Sequence, residues 1–329
     1  MITPDGSYPL VQSLSVAGSS YQVTRQYEAH RDLPTEIKSQ GSGGVYTQFD
    51  YVYNALRQRT SAQEAGTAFQ DTYSPGTGYS SVTNAYTYDS LGQLSNATMS
   101  TGAPGGGSAI PGHSYSYWYD SAGNRTQAGP SATLNNGGND TYQANNLNQY
   151  SQKRTNSVRI VGDAQVGATV TTSVASTSQL DRNFAALASV PSSGSATYNP
   201  VTVTATVSGQ PSRTILRDYL LAPQPEAFAY DADGNLTSDG LWTYTYDAEN
   251  RLVAMQSVLS GLGNTPYELT FAYDYLGRRV EKKVYQSPGQ LTFDHRYLYD
   301  GSNLVAAEEA LRSQWGQPIP EKMLQRVLA

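Results

Sequence analysis

The side chains able to do chemistry in this sequence are few and scattered. Its histidines are His30, His113 and His295, and none stands in an H-x-x-x-H or H-E-x-x-H spacing that would present paired metal ligands. Cysteine is absent, which removes disulfide frameworks, thiolate zinc sites and cysteine nucleophiles. No G-x-S-x-G elbow, G-x-G-x-x-G turn or Walker loop occurs. Asp231, Asp233 and Asn235 resemble the start of a calcium loop, but that loop needs Gly sixth and Glu twelfth. Here Gly234 is fourth and Trp242 is twelfth. Glu308 and Glu309 would point to opposite faces of a strand, which makes them a poor acid/base pair. Asp294 and Arg296 beside His295 read as cross-strand pairing. The expectation is of no catalytic, cofactor-binding or metal-binding residues, and of a protein that is not an enzyme.

Most aspartates are instead absorbed by a repeat. It reads YTYDSLGQL from Tyr86, YWYDSAGNR from Tyr117, FAYDADGNL from Phe228, YTYDAENRL from Tyr244, FAYDYLGRR from Phe271 and YLYDGSNLV from Tyr297. Degenerate copies start at Tyr51, with Asn54 in place of Asp, and at Tyr142, with Asn145 and Asn148 at the turn positions. In a strand, residues two apart share a face. The aromatic pairs are therefore Tyr86/Tyr88, Tyr117/Tyr119, Phe228/Tyr230, Tyr244/Tyr246, Phe271/Tyr273 and Tyr297/Tyr299. Asp89, Asp120, Asp231, Asp247, Asp274 and Asp300 would then each open a turn by accepting a backbone N–H two residues on. Gly92, Gly123, Gly234 and Gly277 would supply the positive φ that closes it with a bulge. Each copy is thus expected to be one tight β-hairpin.

Composition agrees with a chain made of such units. Tyr is 26 against Phe 6 and Trp 3, whereas disordered chains are poor in aromatics. Lys+Arg is 21 against Asp+Glu 27, a net charge of −6, so no basic surplus is present to hold nucleic acid. No apolar run approaches the ~20 residues of a transmembrane helix. The N-terminus lacks the early positive charge of a signal peptide.

Turn positions are absent between Asn145 and Asp231. Within that gap Asn156–Glu226 holds only Phe184, Tyr198 and Tyr219 as aromatics and alternates Val with Thr. The texture predicts a small antiparallel β-domain inserted into the array. The expected division is 1–155, a hairpin segment; 156–226, the insert; and 227–329, a second hairpin segment. Ser100–Gly112 reads as a Gly/Pro loop. Residues after Pro320 read as a helix start or a strand.

The Y-x-Y-D-x-x-G-N/R pattern resembles the YD repeats of rearrangement-hotspot (RHS) proteins, which include bacterial polymorphic toxins, toxin-complex shells and teneurins. The resemblance runs from about Gln26 to Val305 apart from the insert. Arg31-Asp32-Leu33, Asn146–Tyr150, and the stretches starting at Tyr230, Phe271 and Tyr297 are similar to a bacterial subfamily. There, a small β-sandwich sits between the NQY segment and the next repeat. The resemblance implies an all-β fold, a strip of antiparallel hairpins spiralling into a hollow shell that encloses a C-terminal effector. The family's Trp-Gly-x-Asp and Asp-Pro-x-Gly elements are missing, so the chain is expected to be a fragment of a larger protein and self-cleavage does not carry over.

The function expected is a non-enzymatic structural segment of a polymorphic-toxin-like shell. The alternative is a cell-surface adhesion or carbohydrate-binding module using the Tyr-rich face. Expected partners are the rest of the shell and its effector, with surface glycans or proteins as further candidates, and neither nucleic acid nor a membrane span. The parent is expected to be secreted or on the cell surface, and this chain cytoplasmic if expressed alone.

Overall fold

The computed structural model describes residues 2–4, 10–69, 81–130, 138–191, 193–258, 266–286 and 289–309. The readings after Pro320 lie outside them. The fold is all-β. The chain divides into two compact units, Met1–Pro191 with Asn199–Tyr219, and Ser192–Tyr198 with Leu220–Ala329.

The first unit begins with β1 (Ile2–Pro4), β2 (Val11–Ser15), β3 (Gln22–Tyr27), β4 (Pro34–Gly41), β5 (Gly44–Tyr53) and β6 (Arg59–Ala65). It continues through β7 (Ser81–Tyr88), β8 (Leu94–Thr101), β9 (Ala109–Tyr119), β10 (Arg125–Gly129), β11 (Asp140–Ala144) and β12 (Tyr150–Arg154). Each strand pairs with the next in chain order, so the sheet is a meander of hairpins. The connections are short because consecutive antiparallel strands need only a tight turn. Strands β4, β8 and β12 are half-buried along their whole length, on both faces. Part of the expected loop at Ser100–Gly112 is strand: Ser100 pairs with Ala109, and Ile110 is buried. Burial of that isoleucine extends β9 past what the Gly/Pro texture suggests.

The Val/Thr-rich region supplies β13 (Ser157–Asp163), β14 (Thr169–Thr172), β15 (Thr177–Leu180), β16 (Asn183–Ser189), β17 (Thr197–Thr206) and β18 (Arg213–Leu221). They form two three-stranded sheets, β13-β16-β15 and β14-β17-β18. Ala168, Val170, Phe184, Ala186, Ala188 and Val201 are buried among them. The first of these sheets packs on β9. Arg159 donates to the carbonyl oxygens of Gly112 and, at 3.1 Å, Ser114. Gly112 has φ +80°, and a Cβ there would overlap Val161 and Ala185. Only glycine permits that approach.

The second unit contains β19 (Glu226–Ala227), β20 (Ala229–Tyr230), β21 (Leu236–Ser238), β22 (Trp242–Tyr246) and β23 (Leu252–Ser257). It ends with β24 (Tyr267–Tyr273), β25 (Arg279–Gln286), β26 (Gln290–Asp300) and β27 (Asn303–Glu309). Strands β20 to β27 form one sheet in chain order. Its core gathers Ala222, Leu241, Trp242, Met255, Leu269, Phe271 and Val284, flanked by Leu252, Tyr273 and Phe293.

Candidate functional site

Seven of the eight copies close their turns in one way. Oδ1 of Asn54, Asp89, Asp120, Asn145, Asp231, Asp247 and Asp274 accepts two backbone N–H bonds, two and four residues on, at 2.8–3.0 Å. The third residue on has positive φ: Gly92, Gly123, Gly234 and Gly277, and also Arg57, Asn148 and Asn250. A side-chain bond from Asn124 holds the Asp120 carboxyl below the usual range, and one from Asn235 does so for Asp231. For Asp247 the main cause is the Arg251 backbone N–H, and the Arg251 side chain adds to it. Asp274 is pushed up by burial, but bonds from Arg278 and backbone N–H groups outweigh it and leave it lowered.

Asp300 departs from the expected cap. It ends β26 and pairs with Asn303 across a two-residue turn. Gly301 follows it directly with φ +56°, so the chain reverses earlier than in the other copies. Phe228 also departs, lying between β19 and β20 rather than in a strand.

In four of the six aromatic pairs, in the copy from Tyr51 and at Tyr27, a tyrosine hydroxyl reaches sideways, whereas Tyr246 makes no such bond among the described residues. The Tyr27, Tyr53, Tyr88 and Tyr119 hydroxyls donate to the carbonyl oxygens of Val11, Pro34, Arg59 and Leu94 at 2.7–3.0 Å. Tyr273 reaches Leu252 at 2.8 Å and Tyr299 reaches Arg279 at 3.0 Å. The Tyr150 hydroxyl takes the mirror role, accepting from Arg125 N at 3.0 Å. Each hydroxyl pins its hairpin to the one before. Over the rings lie guanidinium groups: Arg59 is 4.0 Å from the Tyr51 centroid, Arg251 5.3 Å from Tyr273 and Arg278 5.0 Å from Tyr299.

Beside a cavity of about 430 Å³ lined by Gln12, Ser13, Thr24, Arg25, Gln26 and Tyr27, two cavities of the first unit involve the insert. One, of about 300 Å³, lies where β9, β10 and the insert meet, and its lining includes Tyr115, Tyr117, Arg125, Asp140, Arg159 and Leu187. Arg159 stacks 4.0 Å from the Tyr115 centroid, and Arg125 lies 4.9 Å from that of Tyr142. Arg125 Nε is sealed from solvent without a hydrogen bond. Burial raises the Asp140 pKa although Lys153 Nζ lies 3.6 Å away. His113 is shifted down by burial and by Arg159. A half-buried carboxyl set beside guanidiniums and tyrosine rings suits polyol ligands. Sequence reasoning missed this cleft because packing of the insert on β9 creates it. The other cavity, of about 220 Å³, lies within the insert and is mostly apolar, lined by Val170, Phe184, Val203, Ala205, Val207 and Ile215 among others.

His30, His113 and His295 are not brought together with acids in one group. Among the described residues no cluster of three or more His, Asp or Glu could hold a metal. No helix among them is long and apolar enough to cross a membrane.

No family model matches the chain. Among curated proteins, it is 36% identical over 111 residues to the tRNA nuclease WapA of Bacillus subtilis strain 168. It is 37% identical over 111 residues to the tRNA3(Ser)-specific nuclease WapA of Bacillus spizizenii. Each match covers 32% of this chain and 4% of the relative. Among solved structures, TcdB2-TccC3 without its hypervariable C-terminal region covers 97% of this chain and 16% of its own, at 13% identity and a TM-score of 0.34. The Photorhabdus luminescens Tc holotoxin pore has the same coverage and TM-score at 14% identity.

These relatives overturn one expectation. The motif survey reads the chain as not an enzyme, yet the curated proteins it matches are named as tRNA nucleases. The chain spans about 4% of those relatives, and motifs in 329 residues do not report on the remainder of so long a protein.

Proposed function

We propose that this chain is a β-hairpin segment of an RHS-type, toxin-associated protein that encloses or displays a C-terminal effector. In that reading the insert, 156–226, is a domain set between hairpin segments 1–155 and 227–329. The observation that carries it is the row of tyrosine hydroxyls, each bonded to the preceding hairpin's backbone. Such bonds make a continuous wall from units that would be marginal alone. The local likeness to tRNA nucleases supports a parent whose effector cleaves RNA. The test uses the full-length parent. Purified protein is to cleave tRNA, and its effector is to resist protease until Tyr119→Phe and Tyr273→Phe loosen the wall. An effector equally digestible before and after would refute enclosure, and a parent inert on tRNA would refute the nuclease assignment.

A second reading, glycan binding, is favoured by the cleft of Tyr115, Tyr117, Arg125 and Asp140. Stacking rings beside fixed polar groups are what sugar recognition needs. Tyr117→Ala should abolish retention on the glycan that the intact chain selects from an array. A chain that selects none would refute this reading.

A further inference from the structure

Opposite the first aromatic of a hairpin, the partner strand usually carries a small or apolar residue. Ala62 faces Tyr51, Ala97 faces Tyr86, Ala128 faces Tyr117, Met255 faces Tyr244 and Ala307 faces Tyr297. Two hairpins place lysine there. Lys153, opposite Tyr142, has Asp140 at 3.6 Å. Lys282, opposite Phe271, is 5% exposed, and among the described residues its ammonium has no hydrogen-bond or ion-pair partner.

The charges around Lys282 are sorted by face. On the other side of the same strands Lys283 pairs with Glu281 at 2.7 Å, and Arg296 pairs with Glu281 at 2.9 Å and Asp294 at 3.1 Å. On the Lys282 side a second cation, Arg279, has no carboxylate partner among the described residues either. Its guanidinium lies 5.6 Å from the Phe271 centroid and 5.1 Å from that of Tyr297. The neighbouring Arg278 is by contrast bound to Asp274 at 2.7 Å. His295, directly across from Lys282 on β26, stacks between Phe293 and Tyr297 at 5.9 and 6.4 Å.

A buried ammonium without a counter-ion is strongly disfavoured, and Met255 shows that an apolar side chain fits the equivalent position. A lysine that merely covered the edge of the core would keep its head well in water; at 5% exposure little of Lys282, head included, reaches it. The Lys282 ammonium is nevertheless not among the fully sealed, unbonded polar atoms, which are Thr24 Oγ1, Ser61 Oγ, Arg125 Nε and Thr177 Oγ1. It therefore keeps an opening. Burial first, and the Arg279 charge second, hold its pKa below that of an ordinary lysine. An anion between the two cations would relieve both effects.

We infer that Lys282 and Arg279 form an oxyanion site, taking a phosphate or carboxylate group against the rings of Phe271, His295 and Tyr297. The site is independent of any activity of the parent. It is tested by melting the full chain at constant ionic strength while sodium phosphate or sodium acetate replaces chloride. At tenfold excess over the half-saturating concentration, Tm should rise by about 2 °C. Phosphate acting alone assigns a phosphate ligand, and acetate acting as well assigns a carboxylate. Lys282→Met should abolish the rise and Lys153→Met should keep it. In the intact sequence, ¹³C-dimethylated Lys282 should titrate at higher pH in phosphate than in chloride, with Lys38 and Lys283 as references. No anion-dependent rise, an equal rise in Lys282→Met, or an unmoved Lys282 titration would overturn the proposal.

Discussion

Replacing Tyr88 by Phe removes one hydroxyl and nothing else, which isolates the bond that ties a hairpin to its predecessor. That hydroxyl lies 2.7 Å from the Arg59 carbonyl oxygen, 29 residues earlier in the chain. A neutral hydrogen bond contributes about 1 kcal/mol net, and rather more where the abandoned carbonyl cannot recover water. The Tyr119 hydroxyl, more buried and 2.9 Å from the Leu94 carbonyl, belongs at the upper end of that range. For a unit of this size, about 1 kcal/mol moves Tm by roughly 2–4 °C. The control is Tyr86→Phe, on the same strand, whose hydroxyl makes no hydrogen bond among the described residues. The repeat contains its own version of this experiment. The first aromatic is Phe at Phe228 and Phe271, whereas the second is Tyr at Tyr53, Tyr88, Tyr119, Tyr273 and Tyr299, all of which make the bond. Calorimetry on Tyr86→Phe, Tyr88→Phe and Tyr119→Phe decides the matter. Equal melting of the Tyr86 and Tyr88 variants would refute the reasoning, because ring burial alone would then account for the tyrosines.

Acid should loosen the turns. Asp120, Asp231, Asp247 and Asp274 have folded pKa values below the unfolded one, so their contribution is complete above about pH 4 and is lost as pH falls through the folded values. Asp247→Asn should flatten that fall in a Tm-against-pH series while preserving the fold, since Asn54 and Asn145 already make the same bonds. Lys282→Met should raise Tm at neutral pH. Its advantage should shrink as pH climbs through the lowered Lys282 pKa toward the unfolded value, because the intact chain then sheds the buried charge. Gly66→Ala should destabilise by roughly 2 kcal/mol or more, read by denaturant titration, because φ is +110° and a Cβ would press on the Tyr46 backbone. Leu56, Leu91 and Leu147 stand 75%, 73% and 77% exposed at turn tips. Leu91→Glu should therefore raise solubility in a precipitation assay without lowering Tm.

The hairpins were legible in the sequence because their determinants are local. The Asp or Asn, the positive-φ residue and the paired aromatics all fall within one short window, and turn chemistry acts at that range. Asp300 misled because its window differs in one place, Gly301, and a positive φ one step after the aspartate selects a shorter turn. The Ala109–Gly112 end of β9 was hidden by Gly and Pro, although burial of Ile110 overrides them. Cross-strand matters were not legible. Nothing in the spacing says that Arg159 reaches the Gly112 and Ser114 carbonyls, or that Lys282 lacks the acid that Lys153 has, since both depend on register and on packing between distant segments.

Half-burial on both faces explains why the repeat spends so much chemistry on its edges. A sheet backed by a second layer holds its strands by burying one face; β4 and β8 show no fully buried position. Adjacent hairpins must then be joined by directional bonds, and the repeat supplies two sets. The turn residue fixes where each hairpin begins, and the tyrosine hydroxyl fixes its register against the last. Side-chain contacts add to this at the tips, where Gln58 Nε2 donates to the Gly92 carbonyl at 2.8 Å and Asn124 Nδ2 to Asn148 Oδ1 at 3.0 Å. Each bond is weak and touches only its neighbours, so the strength of such a sheet grows with its length. That arrangement frees the positions opposite the aromatics from structural duty. Ala at most of them is the simplest solution, which is why a buried lysine at one of them, unpaired among the described residues, points to something other than the fold.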